Sequence, residues 1–294
     1  MDIPLASDLG TWLFADDTAL VESASSLEIL QSNMNIQIEK VQKWLLANKL
    51  SVHYVDKSKY MLTNANNIIR VEDGQFELKM GGHIIERTKT YKYLGLIVDE
   101  KFSWADQINE ICWKLSQVAG TLFRARHLLN REALMLIYHS LVGSKLRYGL
   151  ICWATASKFL LDKVNVVHNK IVRCLTFSKS CSPAWPSYNS LNVLPLDILT
   201  EIEWGKTLYK FQNDMLPKAF NEYFNRPRHH HSTRFANQLN FEMVRINLAR
   251  EKSLLKYIGP KKWSEIPLSI KKSRSLKVFV SSFREHLLEN FDPD

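Results

Sequence analysis

The hydrophobic periodicity of this chain changes near Ser103, and that change limits the possible folds more than any other feature of the sequence. Before Ser103, turn residues separate short apolar runs, a pattern typical of the strands of a small sheet. After Ser103, apolar residues recur at helical spacing in three stripes. The stripes are Ile108, Ile111, Leu115, Val118, Leu122 and Leu129; Leu134, Ile137, Leu141 and Tyr148; and Leu160, Val164, Val167, Ile171 and Leu175. The sequence therefore predicts an α+β fold in which a small antiparallel sheet and a helix precede a helical bundle.

The first hundred residues also contain signals for a long helix and a hairpin. The helix is predicted over residues 25–45, where Ser25 and Glu28 form a capping-box pair before the apolar periodicity begins. The Gly81–Gly82 pair lies between two strand-like segments and suits the turn of a two-residue hairpin. Residues 91–98 are predicted to form the last strand of this part.

Beyond the three stripes, the helical pattern breaks and then resumes. Residues 181–187, which contain two prolines, interrupt the periodicity and form the predicted linker. Three further helices are predicted near residues 196–213, 241–257 and 275–290, in a strongly basic region. The sequence contains no internal repeat and no low-complexity tract, so repeat architectures are excluded.

Charge is distributed unevenly along the chain, whose net charge is +9. Residues 1–100 contain 10 Lys and Arg against 14 Asp and Glu, whereas residues 101–294 contain 29 against 16. A basic surface alone is common among proteins that bind no polyanion. An acidic first part joined to a basic second part favours metal-ion chemistry in one and polyanion binding in the other.

Composition and motifs exclude several classes of protein. Hydrophobic residues make up 46% of the chain, which is too many for a disordered protein. We expect no membrane span, because no apolar run reaches about 20 residues. The N-terminal residues do not have the pattern of a signal peptide. The four cysteines have neither CxxC nor zinc-finger spacing, which indicates free thiols in a reducing compartment. We therefore expect an intracellular protein of the nucleus or cytoplasm.

The most specific chemical feature is the adjacent pair Asp16 and Asp17, which follows Phe14 and Ala15. Short apolar runs on both sides predict a tight hairpin with the two carboxylates at its tip. Mg²⁺ binds carboxylate oxygens together with substrate phosphates. In nucleotidyl transfer, two such ions activate the attacking 3′-hydroxyl and stabilise the departing pyrophosphate. The alternative is a solvent-exposed turn without chemistry, because Asp is common in turns.

The residues around these aspartates resemble a known family. Phe14-Ala15-Asp16-Asp17 resembles the aromatic-Ala-Asp-Asp signature of reverse transcriptases, in the form found in non-LTR (LINE-type) retrotransposons. The resemblance implies an RNA-directed DNA polymerase with a two-Mg²⁺ site, an RNA template, a DNA primer and dNTP substrates. Further segments that resemble the family, in chain order, are 48–51, 56–62, 91–96, 146–149 and 259–267.

The resemblance implies roles for individual residues. Asp16 and Asp17 are the implied catalytic metal ligands, and Lys57 is the implied proton donor to pyrophosphate. A solvent-exposed basic turn is the alternative for Lys57. Nucleic-acid binding is implied for Phe14, for the primer-grip residues Tyr93, Leu94 and Gly95, and for Lys114, Arg124 and Arg126 on the predicted thumb helices.

The resemblance also implies three parts. Residues 1–98 form a partial palm with the aspartate hairpin, residues 99–180 a helical thumb, and residues 181–294 a basic, mostly helical C-terminal region. In this family the fingers, the first catalytic aspartate and the nucleotide-selecting helix come earlier, and residues 1–5 resemble the end of that helical segment. We therefore expect a truncated copy with an incomplete metal site that does not polymerise alone. The alternatives are a non-catalytic nucleic-acid-binding remnant and a relic without function.

Two further expectations concern surfaces. A palm without its neighbouring strands is expected to have an exposed sheet edge and an apolar patch. The aromatic residues Trp113, Tyr148 and Trp153 lie among basic residues, where they either contact nucleic acid or pack in the core. The basic residues between 226 and 274, which include Lys262 and Lys271, either contact RNA or are solvated.

Overall fold

The computed structural model describes residues 9–50, 58–63, 75–220, 223–224, 239–243 and 255–292. The chain divides into two compact units, Met1–Phe102 and Ser103–Asp294. Within the described ranges, the first unit contains one long helix and four small sheets, whereas the second is helical. All strands of the described residues therefore lie in the first unit, and the boundary between the units lies where the hydrophobic periodicity changes.

The described strands of the first unit form four separate two-stranded sheets. The β3–β6 pair is parallel and the other three pairs are antiparallel. The pairs are β1 (Gly10–Phe14) with β2 (Asp17–Val21), β3 (Lys59–Tyr60) with β6 (Glu86–Arg87), β4 (Lys79–Met80) with β5 (His83–Ile84), and β7 (Thr90–Tyr93) with β8 (Leu96–Asp99).

Two hairpin turns of the first unit can be compared with the predictions from sequence, one of which is confirmed and one of which is wrong. The predicted turn at Gly81 and Gly82 is confirmed, and both residues have positive φ, as two-residue hairpin turns require. The prediction of one strand over residues 91–98 is wrong, because Leu94 (φ 46°) and Gly95 (φ 81°) form a turn between β7 and β8. A leucine at positive φ is uncommon, so the sequence gives little warning of this turn.

The long helix of the first unit, α1 (Leu27–Ala47), provides most of its core. Its N-cap is Ser26, whose hydroxyl accepts from the Ile29 amide at 3.3 Å, so the predicted cap at Ser25 is off by one residue. Ile38 and Val41 are the buried residues of the helix. They pack with buried apolar residues from the segments after α1, namely Leu62, Phe76, Leu78, Met80 and Ile85.

The helices of the second unit form two packed groups. In the first, α2 (Ala105–Ala125) packs along α6 (Lys158–Leu175) through their buried apolar faces. In the second, aromatic residues such as Trp204, Trp263 and Phe279 form a core between α8 (Leu196–Gln212), α9 (Leu255–Glu265) and α11 (Leu276–Glu289). The helices are α2 (Ala105–Ala125), α3 (Arg131–Ile137), a π-helical turn (Tyr138–Gly143), α4 (Ser144–Arg147), α5 (Leu150–Trp153), α6 (Lys158–Leu175), α7 (Trp185–Leu191), α8 (Leu196–Gln212), a 3-10 turn (Lys218–Phe220), α9 (Leu255–Glu265), α10 (Leu268–Lys271) and α11 (Leu276–Glu289).

Most of the predicted helices of the second unit are present. Those near residues 196–213 and 275–290 correspond to α8 and α11. The prediction over residues 241–257 is wrong at its start, because residues 241–243 are not helical. No helix in the described part of the chain is long and apolar enough to cross a membrane.

The second predicted stripe has the wrong register after Leu134. Leu141 and Tyr148 are exposed, and the buried positions follow one another at intervals of four residues instead of the 3.6 of an α-helix. The π-helical turn explains this shift, because its wider turn accommodates an additional residue. The buried positions are Leu134, Tyr138, Val142, Leu146 and Leu150.

Candidate functional site

The aspartate pair lies at the turn of the β1–β2 hairpin. Ala15 and Asp16 form the two-residue turn, and Asp17 begins β2 and pairs with Phe14. Ala15 has a φ of 53°, a left-handed conformation that costs an L-residue about 1–2 kcal/mol. Both aspartates are exposed. The hairpin therefore presents two adjacent carboxylates to solvent, one from the turn and one from the strand.

One face of this hairpin is apolar and open to solvent. Alternate residues of β1 and their cross-strand partners share a face, so Trp12, Phe14, Asp17 and Val21 lie together. Trp12 is 57% exposed, Phe14 64% and Val21 53%. On the opposite face, Leu20 packs against the α1 core. The hairpin thus packs against the core through one face and presents the aromatic rings of Trp12 and Phe14 beside Asp17 on the other.

The two carboxylates are ligands of the type that Mg²⁺ prefers in proteins. Mg²⁺ is commonly bound by one or two protein carboxylates, with waters and substrate phosphates completing an octahedron. Among the described residues, no group of three or more His, Cys, Asp or Glu side chains is arranged to hold a metal. A metal ion held by Asp16 and Asp17 would need further oxygen ligands, from water, from a substrate or from residues outside the described ranges. Lys57, the predicted proton donor, lies outside the described residues.

The predicted primer-grip residues occupy the β7–β8 hairpin. Tyr93 ends β7 and pairs with Leu96, and Leu94 and Gly95 form the turn between them. Tyr93 and Leu94 are half-buried, whereas Gly95 is exposed. Because Gly95 has no side chain and a φ of 81°, its backbone is accessible for close approach by another chain.

The three predicted basic residues of α2 do not form one group. Lys114 makes an ion pair with Glu110 at 2.8 Å, one helical turn away. Arg124 and Arg126 lie at the C-terminal end of the helix, about 15 Å further along its axis. Arg124 is exposed, and the guanidinium of Arg126 lies over the ring of Phe123. Arg124 and Arg126 therefore lie near the same end of α2 but are two residues apart, a spacing at which helical side chains do not face each other, and Lys114 lies apart from both.

The aromatic residues of the helical part divide between core and surface. Trp153 is fully buried, and its indole Nε1 donates to the Tyr148 carbonyl at 3.0 Å. Trp113 and the Tyr148 side chain are exposed. Core packing is thus the role of Trp153, whereas the rings of Trp113 and Tyr148 are accessible to a partner.

Two lysines of the basic C-terminal part have structural roles. Lys262 makes an ion pair with Glu201. Lys271 is buried, its Nζ donates to Asn240 Oδ1 at 2.8 Å, and burial lowers its pKa to about 8. Their contacts are intramolecular, so the two side chains stabilise the fold and are poor candidates for RNA binding. Arg226, Arg228 and Arg234 lie outside the described residues.

Comparison with known proteins gives a sequence relationship. The chain is similar to the RNA-directed DNA polymerase from mobile element jockey. The Drosophila melanogaster protein is 26% identical over 163 residues, and the Drosophila funebris protein 23% over 163 residues. The match covers 54% of this chain and 17% of each relative, so it spans a small part of those proteins. No protein-family model matches the chain, and no solved structure matches it. The similarity to the jockey polymerases supports a relationship to non-LTR reverse transcriptases.

Two clusters of the second unit were not predicted from the sequence. One joins Arg126 to Phe123 and Phe177, and the other joins Tyr138 to His168. Phe123 and Arg126 are three residues apart at the end of α2, whereas Phe177 and His168 are distant in sequence from Arg126 and Tyr138, so no local spacing connects those two pairs. A further sequence signal is Phe177 itself, which lies two residues after the apolar stripe of α6, at a position where helices often end in glycine.

Proposed function

We propose that this chain provides the aspartate hairpin and the basic, nucleic-acid-binding helical unit of an RNA-directed DNA polymerase of the non-LTR type. The observation that carries the proposal is the β1–β2 hairpin, which presents Asp16 and Asp17 at an exposed turn beside the open ring of Phe14. The similarity to the jockey polymerases supports the same family. An RNA template and a DNA primer are the proposed partners.

The proposed role of the hairpin follows from its two faces. Asp16 and Asp17 supply oxygen ligands, and Mg²⁺ bound there neutralises the phosphate charge of a nucleotide substrate. Phe14 lies on the same face as Asp17, where its ring provides an apolar surface for the sugar and base of the primer end. Leu20 on the opposite face fixes the hairpin to the α1 core, so the carboxylates keep their position.

We also propose that the chain does not polymerise by itself. Polymerase chemistry requires a metal site that functions as a unit, and loss of one member removes most of the rate. The described residues contribute two carboxylates to such a site and contain no group of three ligands. Purified protein should fail to extend a DNA primer on an RNA template in Mg²⁺. Extension by the wild type that disappears in Asp16→Asn would contradict this part of the proposal.

The metal role of the aspartates has its own test, which does not depend on activity. Binding of a primer–template is measured in Mg²⁺ and in EDTA for the wild type, Asp16→Asn and Asp17→Asn. Mg²⁺ should strengthen binding by the wild type and have a smaller effect on either variant. Glu22→Gln is the matched control, because it removes an acidic charge directly after β2 and outside the turn. An equal Mg²⁺ effect in all four proteins would contradict the metal role.

A non-catalytic nucleic-acid-binding protein is the second candidate function. It is favoured by the basic second unit together with the two-carboxylate hairpin. If Mg²⁺ has no effect on any variant while binding still weakens with added salt, this second function replaces the first. Both functions require the second unit to bind a polyanion.

A further inference from the structure

The C-terminal ends of α2 and α6 bring two phenylalanines to one arginine. The guanidinium carbon of Arg126 lies 4.3 Å from the ring centroid of Phe123 and 4.9 Å from that of Phe177. Its Nη1 donates to the Cys174 carbonyl at 3.4 Å, and its Nε donates to His127 Nε2 at 3.2 Å. The guanidinium is therefore held between two rings by contacts from both helices. We call Phe123, Arg126 and Phe177 the aromatic–arginine cluster.

The two rings of this cluster face solvent. Phe123 is 58% exposed and Phe177 is 53% exposed. The guanidinium of Arg126 lies over both rings and adds a positive charge to this surface. Rings of this size usually bury their surface, so two exposed ones beside a fixed guanidinium form a surface suited to a planar ligand.

Phe177 is held in this exposed position at a conformational cost. Its φ is 56°, in the left-handed region where glycine is the usual residue directly after a helix. A cluster of hydroxyls fixes this turn: Thr176 Oγ1 lies 2.8 Å from both Ser178 Oγ and Ser187 Oγ. The backbone of Phe177 is thus fixed by this turn, which orders the ring before any partner binds.

Charge around the cluster selects the kind of partner. The two segments that form it, residues 120–132 and 173–182, contain five Lys and Arg and one acidic residue, Glu132. Arg131 and Arg173 donate to the backbone carbonyls of Ser190 and Ser182, which do not neutralise their charge. The local surface is therefore positive and suits a polyanion that also carries flat aromatic groups.

We propose that the aromatic–arginine cluster binds unpaired nucleobases of single-stranded RNA. Exposed aromatic rings stack on bases that are not already stacked, and nearby cations bind the phosphates between those bases. This proposed site differs from the aspartate hairpin: the cluster binds single-stranded RNA, whereas the hairpin is proposed to bind the end of the primer. The proposal rests on the proposed function for the choice of nucleic acid as the partner.

The test separates base stacking from phosphate binding. Affinities of the full chain are measured by fluorescence anisotropy for a short oligouridylate and for an abasic oligonucleotide of equal length. The wild type should bind the oligouridylate more tightly than the abasic strand, by about 5- to 150-fold for each stacked base. Phe123→Ala and Phe177→Ala should weaken oligouridylate binding and leave abasic binding unchanged.

Phe159 provides a matched control at the opposite end of α6. It is also an exposed phenylalanine with a cation over its ring, since Lys163 Nζ lies 5.1 Å from the ring centroid. Phe159→Ala should keep the full preference for bases, which shows that the effect belongs to the cluster and not to any exposed ring. Far-ultraviolet circular dichroism confirms that each variant is folded.

Three results would overturn the proposal. Equal wild-type affinity for the oligouridylate and the abasic strand shows phosphate binding without base stacking, and leaves the proposed function intact. Unchanged oligouridylate binding by both phenylalanine variants shows that these two rings do not stack on bases. Absence of binding to either strand and to a primer–template contradicts the proposed function itself.

Discussion

Tyr138 and His168 share a hydrogen bond inside the second unit: Tyr138 Oη lies 2.8 Å from His168 Nε2, and both side chains are buried. The ring of Tyr188 contacts His168 edge-on, with centroids 5.1 Å apart. Burial, assisted by the positive charge of Arg147, lowers the pKa of His168 to about 3. His168 is therefore neutral at physiological pH, and its buried Nδ1 has no hydrogen-bond partner among the residues described.

We expect this histidine to make the fold sensitive to acid. Between its ordinary pKa of 6.5 and about 3, the unfolded chain binds a proton at His168 and the folded chain does not. The free energy of unfolding should therefore fall with decreasing pH in this window, by up to about 1.4 kcal/mol per pH unit. Urea denaturation at neutral and mildly acidic pH measures this slope for the wild type and for His168→Phe.

The variant tests the origin of the slope. His168→Phe should be less stable at neutral pH by about 1–3 kcal/mol, because Tyr138 Oη loses its partner. Its stability should nevertheless depend less on pH. The double variant with Tyr138→Phe should recover part of the loss, since both polar partners are then replaced. If the free energy of unfolding depends on pH equally in the wild type and in His168→Phe, His168 does not remain neutral in the folded protein.

The left-handed backbone at Phe177 predicts an unusual preference for glycine. Phe177→Gly and Phe177→Ala both remove the ring, but only glycine accepts a φ of 56° without strain. The glycine variant should be more stable than the alanine variant by about 1 kcal/mol. Thermal denaturation of the two variants measures the difference. An alanine variant as stable as the glycine variant would contradict the left-handed conformation.

Gly205 is predicted to be essential for packing between α8 and α11. A Cβ at this position would lie 2.6 Å from Phe283 Cε1 and 3.3 Å from Phe279 Cε1, and both rings are buried. Gly205→Ala should reduce the free energy of unfolding by about 1–3 kcal/mol, as expected for overpacking. Chemical denaturation measures the change.

Gly120 provides the matched control for this substitution. It lies inside α2, and a Cβ there would have no neighbour within 4 Å. Gly120→Ala should raise stability by about 0.5–1 kcal/mol through helix propensity alone. A Gly205→Ala variant as stable as Gly120→Ala would contradict the close packing of α8 against the two phenylalanines.

The open face of the β1–β2 hairpin predicts self-association at high concentration. Trp12 and Val21 are exposed on two neighbouring strands that form a sheet of their own among the described residues. Trp12→Thr combined with Val21→Thr keeps strand propensity and removes apolar surface, so it should reduce association. Static light scattering over a concentration series measures this effect.

Leu20 on the opposite face is the control for the hairpin variant. Leu20 packs against the α1 core, so Leu20→Thr should reduce stability instead of association. If light scattering by the wild type and by the Trp12/Val21 double variant depends on concentration in the same way, the exposed face does not mediate association.

Much of the local structure could be predicted from sequence because it depends on neighbouring residues. The helical stripe of α2 from Ile108 to Leu122 is buried as predicted, and the Gly81–Gly82 turn has the predicted conformation. The register of the second stripe could not be predicted, because a π-helical turn begins at Tyr138 and shifts the buried positions. Tyr138 is hydrogen-bonded to His168 of α6, a residue distant in sequence, so no local pattern indicates this turn. Leu129, predicted to be buried, is exposed because α2 ends at Ala125.

The candidate sites differ in the same way. Asp16 and Asp17 are adjacent in sequence, so their proximity follows from the chain itself and from a hairpin signal. The contact between Arg126 and Phe177 depends on how α2 packs against α6, and neither residue has a local feature that indicates the other. The aspartate pair is thus visible in the sequence, whereas the aromatic–arginine cluster appears only once the helices are packed.

Both candidate functions require the second unit to bind a polyanion. The direct measurement is the affinity of the full chain for an RNA–DNA primer–template over a series of salt concentrations. The logarithm of the association constant should fall linearly with the logarithm of salt, with a slope of about −0.9 for each phosphate contact. Arg124→Gln should remove one phosphate contact and so make the slope shallower by about 0.9.

Lys262→Gln is the control, because Lys262 is engaged with Glu201 and its loss should leave the slope unchanged. A steep slope that Arg124→Gln reduces and Lys262→Gln does not is the result expected of a nucleic-acid-binding unit. An affinity that is the same at low and high salt would contradict the account.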